Sequence, residues 1–455
     1  MPHPWIPSST PDEIQKMLEK IGIKDPIELF ADVPSELIIK RSLPSDLQPE
    51  PLPYWEAERH VETLTNMDKR YPPHNIFTGG SCPHYIHPLV DEILGRAELY
   101  TSYTPYQPEI AQGLLQIFFE YQSMISDLFD MDVVNASHYD GAVALAESVL
   151  MSARINRRKK ILIATPLYDS YIQVLKTYLY GPNIELETAS SPEKVLEDNY
   201  NLKEYASVIV GNPDHTGRVW QKNMLQEISQ EVEKSGSLLI SVTEPLALGI
   251  IAPPGEYGAH IAVAEGRSLG VGLNYGGNGL GIIAVKWDRR LVRQMPGRII
   301  GLAEDLDGNP AYTMILQTRE QHIRREKATS NITTNEALTT VAAAVQMALL
   351  GKTGFKRIGS IILKNTFLGR QLLSKHKCVK LDNNSLYFRE LPVFAPGYGE
   401  NAFLSLASQG FLGPTPATRL WPNNHWFNAL FCFNEMHTRR DIETAIQAFL
   451  EVTGC

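Results

Sequence analysis

Residues 268–286, SLGVGLNYGGNGLGIIAVK, hold six glycines and Tyr275 ahead of a strand-like apolar run. A loop this rich in glycine lets backbone N–H groups approach an anion closely, and phosphate is the usual anion in such a cradle. Nothing in the loop could do chemistry on it. The nearby lysine, Lys286, lies inside the apolar run and reads as a solvent-facing strand residue. A second place of the same kind is SHYDGAVALAESV (137–149), which sets Gly141 and Ala142 at a helix start. Free N–H groups and the helix dipole there suit a phosphate. Close packing of small residues on a sheet explains the same pattern. Cys82, His84 and His87 in GGSCPHYIHP suggest zinc, but Pro83 and the spacing fit no common zinc pattern. They read as a partly buried polar loop, and no metal is expected.

Two standard phosphate motifs are excluded. The glycines of 270–281 do not fall as G-x-G-x-x-G, and Gly351-Lys352-Thr353 has Gln346 where a P-loop needs glycine. A third stretch, GNPDHTG (211–217), follows a strand and resembles the turn common in pyridoxal-phosphate (PLP) enzymes. The order of phosphate-type helix start, this turn, a strand and the glycine loop resembles the large domain of a fold-type-I PLP enzyme. Such an enzyme needs an acid at a strand end, facing the pyridine nitrogen, and a lysine before the glycine loop. The strand LLISV runs into Thr243-Glu244-Pro245, where Glu244 is the candidate acid. Between Val242 and Gly281 there is no lysine. Arg267 stands near the place, but a guanidinium stays protonated and is no nucleophile. Either the chain is a catalytically empty paralogue, or it completes a site whose lysine a partner carries.

The elements that would position these residues can be read from periodicity. The chain has 455 residues, enough for two lobes. A net charge of −9 argues against nucleic acid. The start MPHPWIPSSTPDE has no basic or apolar run and predicts no signal peptide. The apolar stretch 238–251 is interrupted by Thr243, Glu244 and Pro245 and is too short and polar to span a bilayer. Four cysteines in so long a chain predict a reducing compartment, no disulfide framework and a cytoplasmic protein. Thr10 and Pro11 open a helix over 10–23, and a proline-rich stretch follows at 43–55. Residues 1–75 read as an arm that wraps a neighbour or another lobe. Helices over 113–131, 141–155, 170–181 and 221–236 alternate with short apolar strands beginning near 159, 206 and 237. That pattern predicts an α/β large domain, 76–334, with a mainly parallel sheet covered on both faces and ligands at its carboxyl ends. An alanine-rich helix over 335–351, a strand-like stretch over 378–395 and a helix over 440–454 predict a smaller α+β C-terminal domain, 335–455.

More specific stretches are SYTPYQPEIAQGLLQ (102–116), PPGEYGAHIAVAEGRSLGVGLNYGG (253–277), MPGRIIGLAEDLDGNPAY (295–312) and LQTREQHIRREKATSNITT (316–334). With the N-terminal helix and YDGA, they resemble the P-protein family of the glycine cleavage system, the decarboxylating glycine dehydrogenases. The resemblance covers nearly the whole chain and is to the amino-terminal half of the long single-chain form, or subunit 1 of the split form. Ala111, where serine is common, and Asn278, where proline is common, depart from the pattern. The resemblance implies fold type I and a heterotetramer in which a homologous subunit 2 carries the lysine and binds PLP. No catalytic residue is then expected in this chain. Tyr275, Gly276 and Gly277 would approach the phosphate of the partner's PLP. Tyr103, Thr104, Tyr106, Gln107 and Glu109 would line the interface, or else pack under the arm. The reaction implied is decarboxylation of glycine, with the aminomethyl group passed to the lipoyl group of the H-protein. No membrane partner is expected. The alternatives are a regulatory or scaffold subunit that touches no cofactor, and a self-sufficient PLP enzyme using Lys286.

Overall fold

Runs such as KILI, YASVIVG, LLISVT and IAVAE carry apolar residues at every position, which suits strands buried on both faces. The computed structural model places them so. It describes residues 5–39, 52–101, 105–189, 191–197, 200–317, 321–328, 330–332, 337–423 and 426–455. Tyr103 and Thr104 lie outside these. The chain divides into two compact units, Met1–Arg70 and Tyr71–Cys455.

In the first unit, α1 (Pro11–Ile21) begins as its sequence predicts. Thr10 accepts from the Glu13 N–H, proline takes the first helical position and Gly22 ends the helix at φ 87°. Helix α2 (Tyr54–Met67) buries no residue. Ile14, Met17 and Ile21 of α1 and Trp55, Val61 and Leu64 of α2 are exposed.

The second unit is built on a seven-stranded sheet. Its elements in chain order are α3 (Gln112–Phe129), β1 (Val133–Val134), α4 (Gly141–Asn156), β2 (Lys160–Ile163), α5 (Asp169–Tyr180), β3 (Glu185–Thr188), β4 (Tyr205–Gly211), α6 (Lys222–Ser235), β5 (Leu238–Thr243), β6 (Ile261–Glu265) and β7 (Gly281–Val285). The strand order is β1-β7-β6-β5-β4-β2-β3. The five strands from β3 to β6 run parallel, and β7 returns antiparallel beside β6, with β1 antiparallel to β7. Register aligns Ile163, Ile209, Ile240 and Ile261 across the sheet. They face α4 and α5 in one core layer, with Val149 and Leu175. The opposite face packs Val208 and Leu239 on α6, and Ala262 and Ile282 on α3. Strand β6, in a stretch the sequence reading left unassigned, completes the parallel set.

A hairpin of β8 (Ile299–Glu304) and β9 (Pro310–Ile315) follows, its turn held by Asp305 Oδ1 accepting from the Asp307 and Asn309 N–H groups. Two glutamines of α3 fasten it. Gln112 brackets the N–H and C=O of Tyr312, both at 2.8 Å, and buried Gln122 brackets those of Ile300, both at 2.9 Å. Helix α7 (Ala337–Leu373) joins two stretches that read separately in sequence, 335–351 and 358–376. It bends at Gly351, where φ is +55°. The C-terminal layer is a three-stranded antiparallel sheet, β10 (Glu390–Val393), β11 (Thr415–Pro416) and β12 (Ala429–Cys432), with β12 central and α8 (Arg439–Thr453) packed on it through Phe431 and Phe449. Of the strand-like stretch 378–395, only Leu386–Tyr387 and Glu390–Val393 form strands.

The cysteine expectation is corrected. Cys82 is bonded to Cys432 and Cys378 to Cys455. The partners are 350 and 77 residues apart, so only the fold brings them together. Among the described residues no helix is long and apolar enough to cross a membrane.

Replacing Gln122 by leucine would leave the buried N–H and C=O of Ile300 without partners. The expected cost is about 2–6 kcal/mol, at about 1–3 kcal/mol for each of the two orphaned groups. It is checked as a lowered midpoint of guanidinium unfolding.

Candidate functional site

Parallel strands of a covered sheet leave their carboxyl ends as the place where loops converge. Here the loops after β4, β5 and β6 meet the glycine loop, the segment Gly80–His84 and Arg389–Glu390 around a cavity of about 450 Å³.

The loop after β4 is the GNPDHTG turn. Asp214 organises it, accepting from the Thr216 N–H and hydroxyl at 2.8 and 2.6 Å and from the Trp220 indole at 3.1 Å. Burial pushes this carboxyl up to about 6, against those hydrogen bonds. His215 stacks on Tyr168 at 4.1 Å, and its Nδ1 accepts from the Tyr168 N–H. Burial holds its pKa down to about 3, so the ring is neutral at pH 7. Gly217 has φ +87°, and a Cβ there would sit 2.3 Å from the Glu390 carbonyl oxygen. The turn therefore docks backbone to backbone on the C-terminal layer.

Glu244 does follow β5, at the place expected of the acid. One carboxylate oxygen accepts from the Ser268 hydroxyl at 2.6 Å, and the other meets Arg389 Nη1 at 2.5 Å. Arg389 also holds Glu390 through Nε at 2.8 Å and lies 3.1 Å from His84 Nε2. The other nitrogen of His84 pairs with Glu435 at 3.0 Å. Burial opposes ionisation of Glu435, but the neighbouring His84 and the Tyr85 N–H outweigh it and hold the carboxyl at about 2. Burial likewise opposes the charge on Arg389, and Glu244 and Glu390 reverse that, raising its pKa further. Residues 84, 244 and 390 thus converge on one guanidinium, with Glu435 behind His84, a cluster with no signature in the linear sequence.

Asp140 caps the α4 helix start by accepting from the Val143 N–H at 2.8 Å. The Gly141 N–H, however, is taken by Glu265 Oε2 at 2.9 Å. Glu265 Oε1 accepts from the Arg267 and Leu280 N–H groups at 3.1 and 3.0 Å. Sequence reasoning missed Glu265, although an acid placed where a strand gives way to glycine was a visible signal. Arg267, near the place of the missing lysine, donates to the carbonyls of Leu273 and Gly277 at 2.7 and 3.0 Å. It ties down the glycine loop. Tyr275 sits at its tip with φ 54°, fully exposed. The N–H groups of Gly276 and Gly277 are spent on the Leu273 and Asn274 carbonyls, so neither is open to an anion. Tyr106, Gln107 and Glu109 are exposed just before α3, with Tyr106 beside Arg298. His87 caps a short helix at Leu89, and Cys82 is in a disulfide.

Lys286 follows β7, which is antiparallel to β6. The β7 residue next to it, Val285, pairs with Ile261 at the amino end of β6. Lys286 is therefore at the edge of the sheet opposite the cavity, roughly 15 Å away at 3.3 Å per strand residue. Its Nζ donates to the Gly255 carbonyl. Among the described residues no lysine lines the cavity. With Glu265 on the Gly141 N–H and no lysine present, this cavity does not fit PLP.

Removing the charge of Arg389 as Arg389→Ala should cost about 3 kcal/mol, because two enclosed carboxylates lose their partner. Burial already raises the Glu390 carboxyl above its ordinary value. A carboxyl with a raised folded pKa regains stability as pH falls through that pKa. The deficit of the variant should therefore shrink as pH falls, read from thermal unfolding of variant and wild type at descending pH.

A profile of the glycine cleavage system P-protein matches residues 3–449. The chain is 42% identical over 465 aligned residues to a probable glycine dehydrogenase (decarboxylating) subunit 1 of Staphylothermus marinus, covering 99% of this chain and 98% of that one. A crystal structure of glycine decarboxylase (P-protein) in inhibitor-bound form superposes with a TM-score of 0.84 at 34% identity, over 99% of this chain and 100% of that one. A sphingosine-1-phosphate lyase from Burkholderia pseudomallei shares the fold alone, with a TM-score of 0.63 at 11% identity over 95% of each chain. The fold is that of type I PLP enzymes, a mainly parallel α/β sheet with a smaller α+β layer, and the chain belongs to the glycine cleavage system P-protein family.

Proposed function

We propose that this chain is subunit 1 of a split glycine-decarboxylating P-protein, completing a site whose PLP lysine lies on a homologous subunit 2. The observation that carries this is a type I scaffold whose own cavity has no lysine among its described residues and a carboxylate at the α4 start. The name of the Staphylothermus relative, subunit 1, supports a second subunit. PLP bound to the partner supplies the electron sink that lets glycine lose carbon dioxide. The aminomethyl group would then bond to one sulfur of the H-protein's lipoyl disulfide, whose S–S bond breaks and is reduced.

The part of this chain is to shape and present. Arg267 fixes the glycine loop by its two carbonyl bonds. Tyr275 stands fully exposed at the tip, and Gly276 and Gly277 add no side-chain bulk beside it. With both glycine N–H groups spent, the Tyr275 hydroxyl is the group offered to the partner's PLP phosphate. Tyr106, Gln107 and Glu109, with Tyr103 and Thr104, line the interface. The exposed apolar side chains of α1 and α2 support an arm, 1–75, that wraps the partner, ahead of a large domain, 76–334, and a small one, 335–455. Cytoplasmic location belongs to the same proposal. It rests on the chemistry, since the paired cysteines remove the argument from cysteine usage. A scaffold subunit that touches no cofactor is the second reading, favoured by Glu265 on the Gly141 N–H.

Borohydride reduction with PLP, followed by mapping of the labelled peptide, separates them. Label on subunit 2 alone, with glycine-dependent carbon dioxide exchange only in the mixture, is expected. Specific label on this chain would sink the proposal. Tyr275→Ala should weaken PLP binding by the complex about tenfold, the worth of one hydrogen bond of about 1.4 kcal/mol. An unchanged affinity there, with assembly intact, would favour the scaffold reading.

A further inference from the structure

The carboxylate of Glu265 is held by three backbone N–H groups from three elements: Gly141 at the α4 start, Arg267 after β6 and Leu280 before β7. Several N–H donors converging on one oxyanion make a cradle for a charged group rather than a chance contact. The walls are cut to this side chain. A Cβ on Gly279 would lie 3.0 Å from Glu265 Oε2, and one on Gly141 would lie 3.0 Å from Glu265 Cβ and 2.5 Å from the Tyr171 hydroxyl. Asp140 places a second carboxylate on the same helix end. Two negative charges more than balance the half charge of a helix dipole. Arg267 has both ends of its guanidinium committed to the glycine loop.

We infer that Glu265 is a built-in substitute for the phosphate of a type I cofactor, which closes this chain's own anion cradle against phosphorylated ligands. A phosphate carries about 1.5 to 2 negative charges and would have to displace one carboxylate and face another. Shortening Glu265 should therefore uncover a phosphate site at the α4 start.

The test titrates the full-length wild type and Glu265→Ala with inorganic phosphate and with PLP, by calorimetry and by thermal unfolding against chloride at equal ionic strength. The wild type should show no saturable binding and no phosphate-specific shift. The variant should bind inorganic phosphate in the millimolar range and gain about 1–3 °C in unfolding temperature at ten times its dissociation constant. Where the variant does not fold in chloride, recovery of folded chain in phosphate replaces the titration. A wild type that binds phosphate as tightly as the variant overturns the inference, as does a folded variant indifferent to phosphate or an unfolded one that phosphate does not recover. The split-site proposal stands apart from either result, because it is decided by which subunit takes the borohydride label.

Discussion

Arg389 is mostly buried, with a side-chain exposure of 17%. A guanidinium does not lose its charge, so it must be ringed by acids or the fold must expose it. Glu244 arrives from the end of β5, Glu390 is its chain neighbour on β10, and His84 comes backed by Glu435 after β12. Glu244 belongs to the large sheet, whereas Glu390 and Glu435 belong to the C-terminal layer. The charge on Arg389 thus sets where the C-terminal layer sits on the carboxyl ends of the large sheet. The backbone contact of Gly217 with Glu390 adds a steric condition at the same seam.

The same economy runs through the cavity. Glu244 occupies the strand end where an acid was expected, yet both of its oxygens are engaged by Ser268 and Arg389. The α4 start has the glycine and the dipole of an anion site, yet Glu265 takes the Gly141 N–H. Polar groups that could have met a ligand meet one another instead. A cavity so satisfied needs no occupant to be stable, since Glu265 at the α4 start and Glu244 and Glu390 around Arg389 each have hydrogen-bond partners.

Much of this fold was legible because its strands are buried on both faces and its helices carry clear caps. KILI, YASVIVG and LLISVT could be little else, and Thr10, Gly22 and Gly236 mark helix ends by local chemistry alone. Strand β6 was harder, since IAVAE is short and opens into glycine without a turn signal. The bend at Gly351 hid the continuity of α7, because glycine normally argues for a stop. At the site, the missing lysine and the glycine loop were visible, as both are statements about residue type at a place in the chain. The Arg389 cluster and the two cysteine pairs were not. Their partners lie up to 351 residues apart, and no local pattern encodes which of many acids or thiols will meet.

The inward-facing and outward-facing features of the site divide along one line. Arg267 has the reach to satisfy the Leu273 and Gly277 carbonyls together, which a lysine, a single flexible point donor, would do less rigidly. An arginine here supplies no nucleophile and ties down the loop behind it. Tyr275 then holds a left-handed backbone conformation with its ring in solvent. For a non-glycine residue that conformation costs about 1 kcal/mol or more, and the loop's own hydrogen bonds offset it. A fully exposed aromatic in that conformation has no packing inside the chain to explain it. The features that face inward have been made self-sufficient, and the feature that faces outward has been made rigid. That is the arrangement the proposed split site requires of this chain.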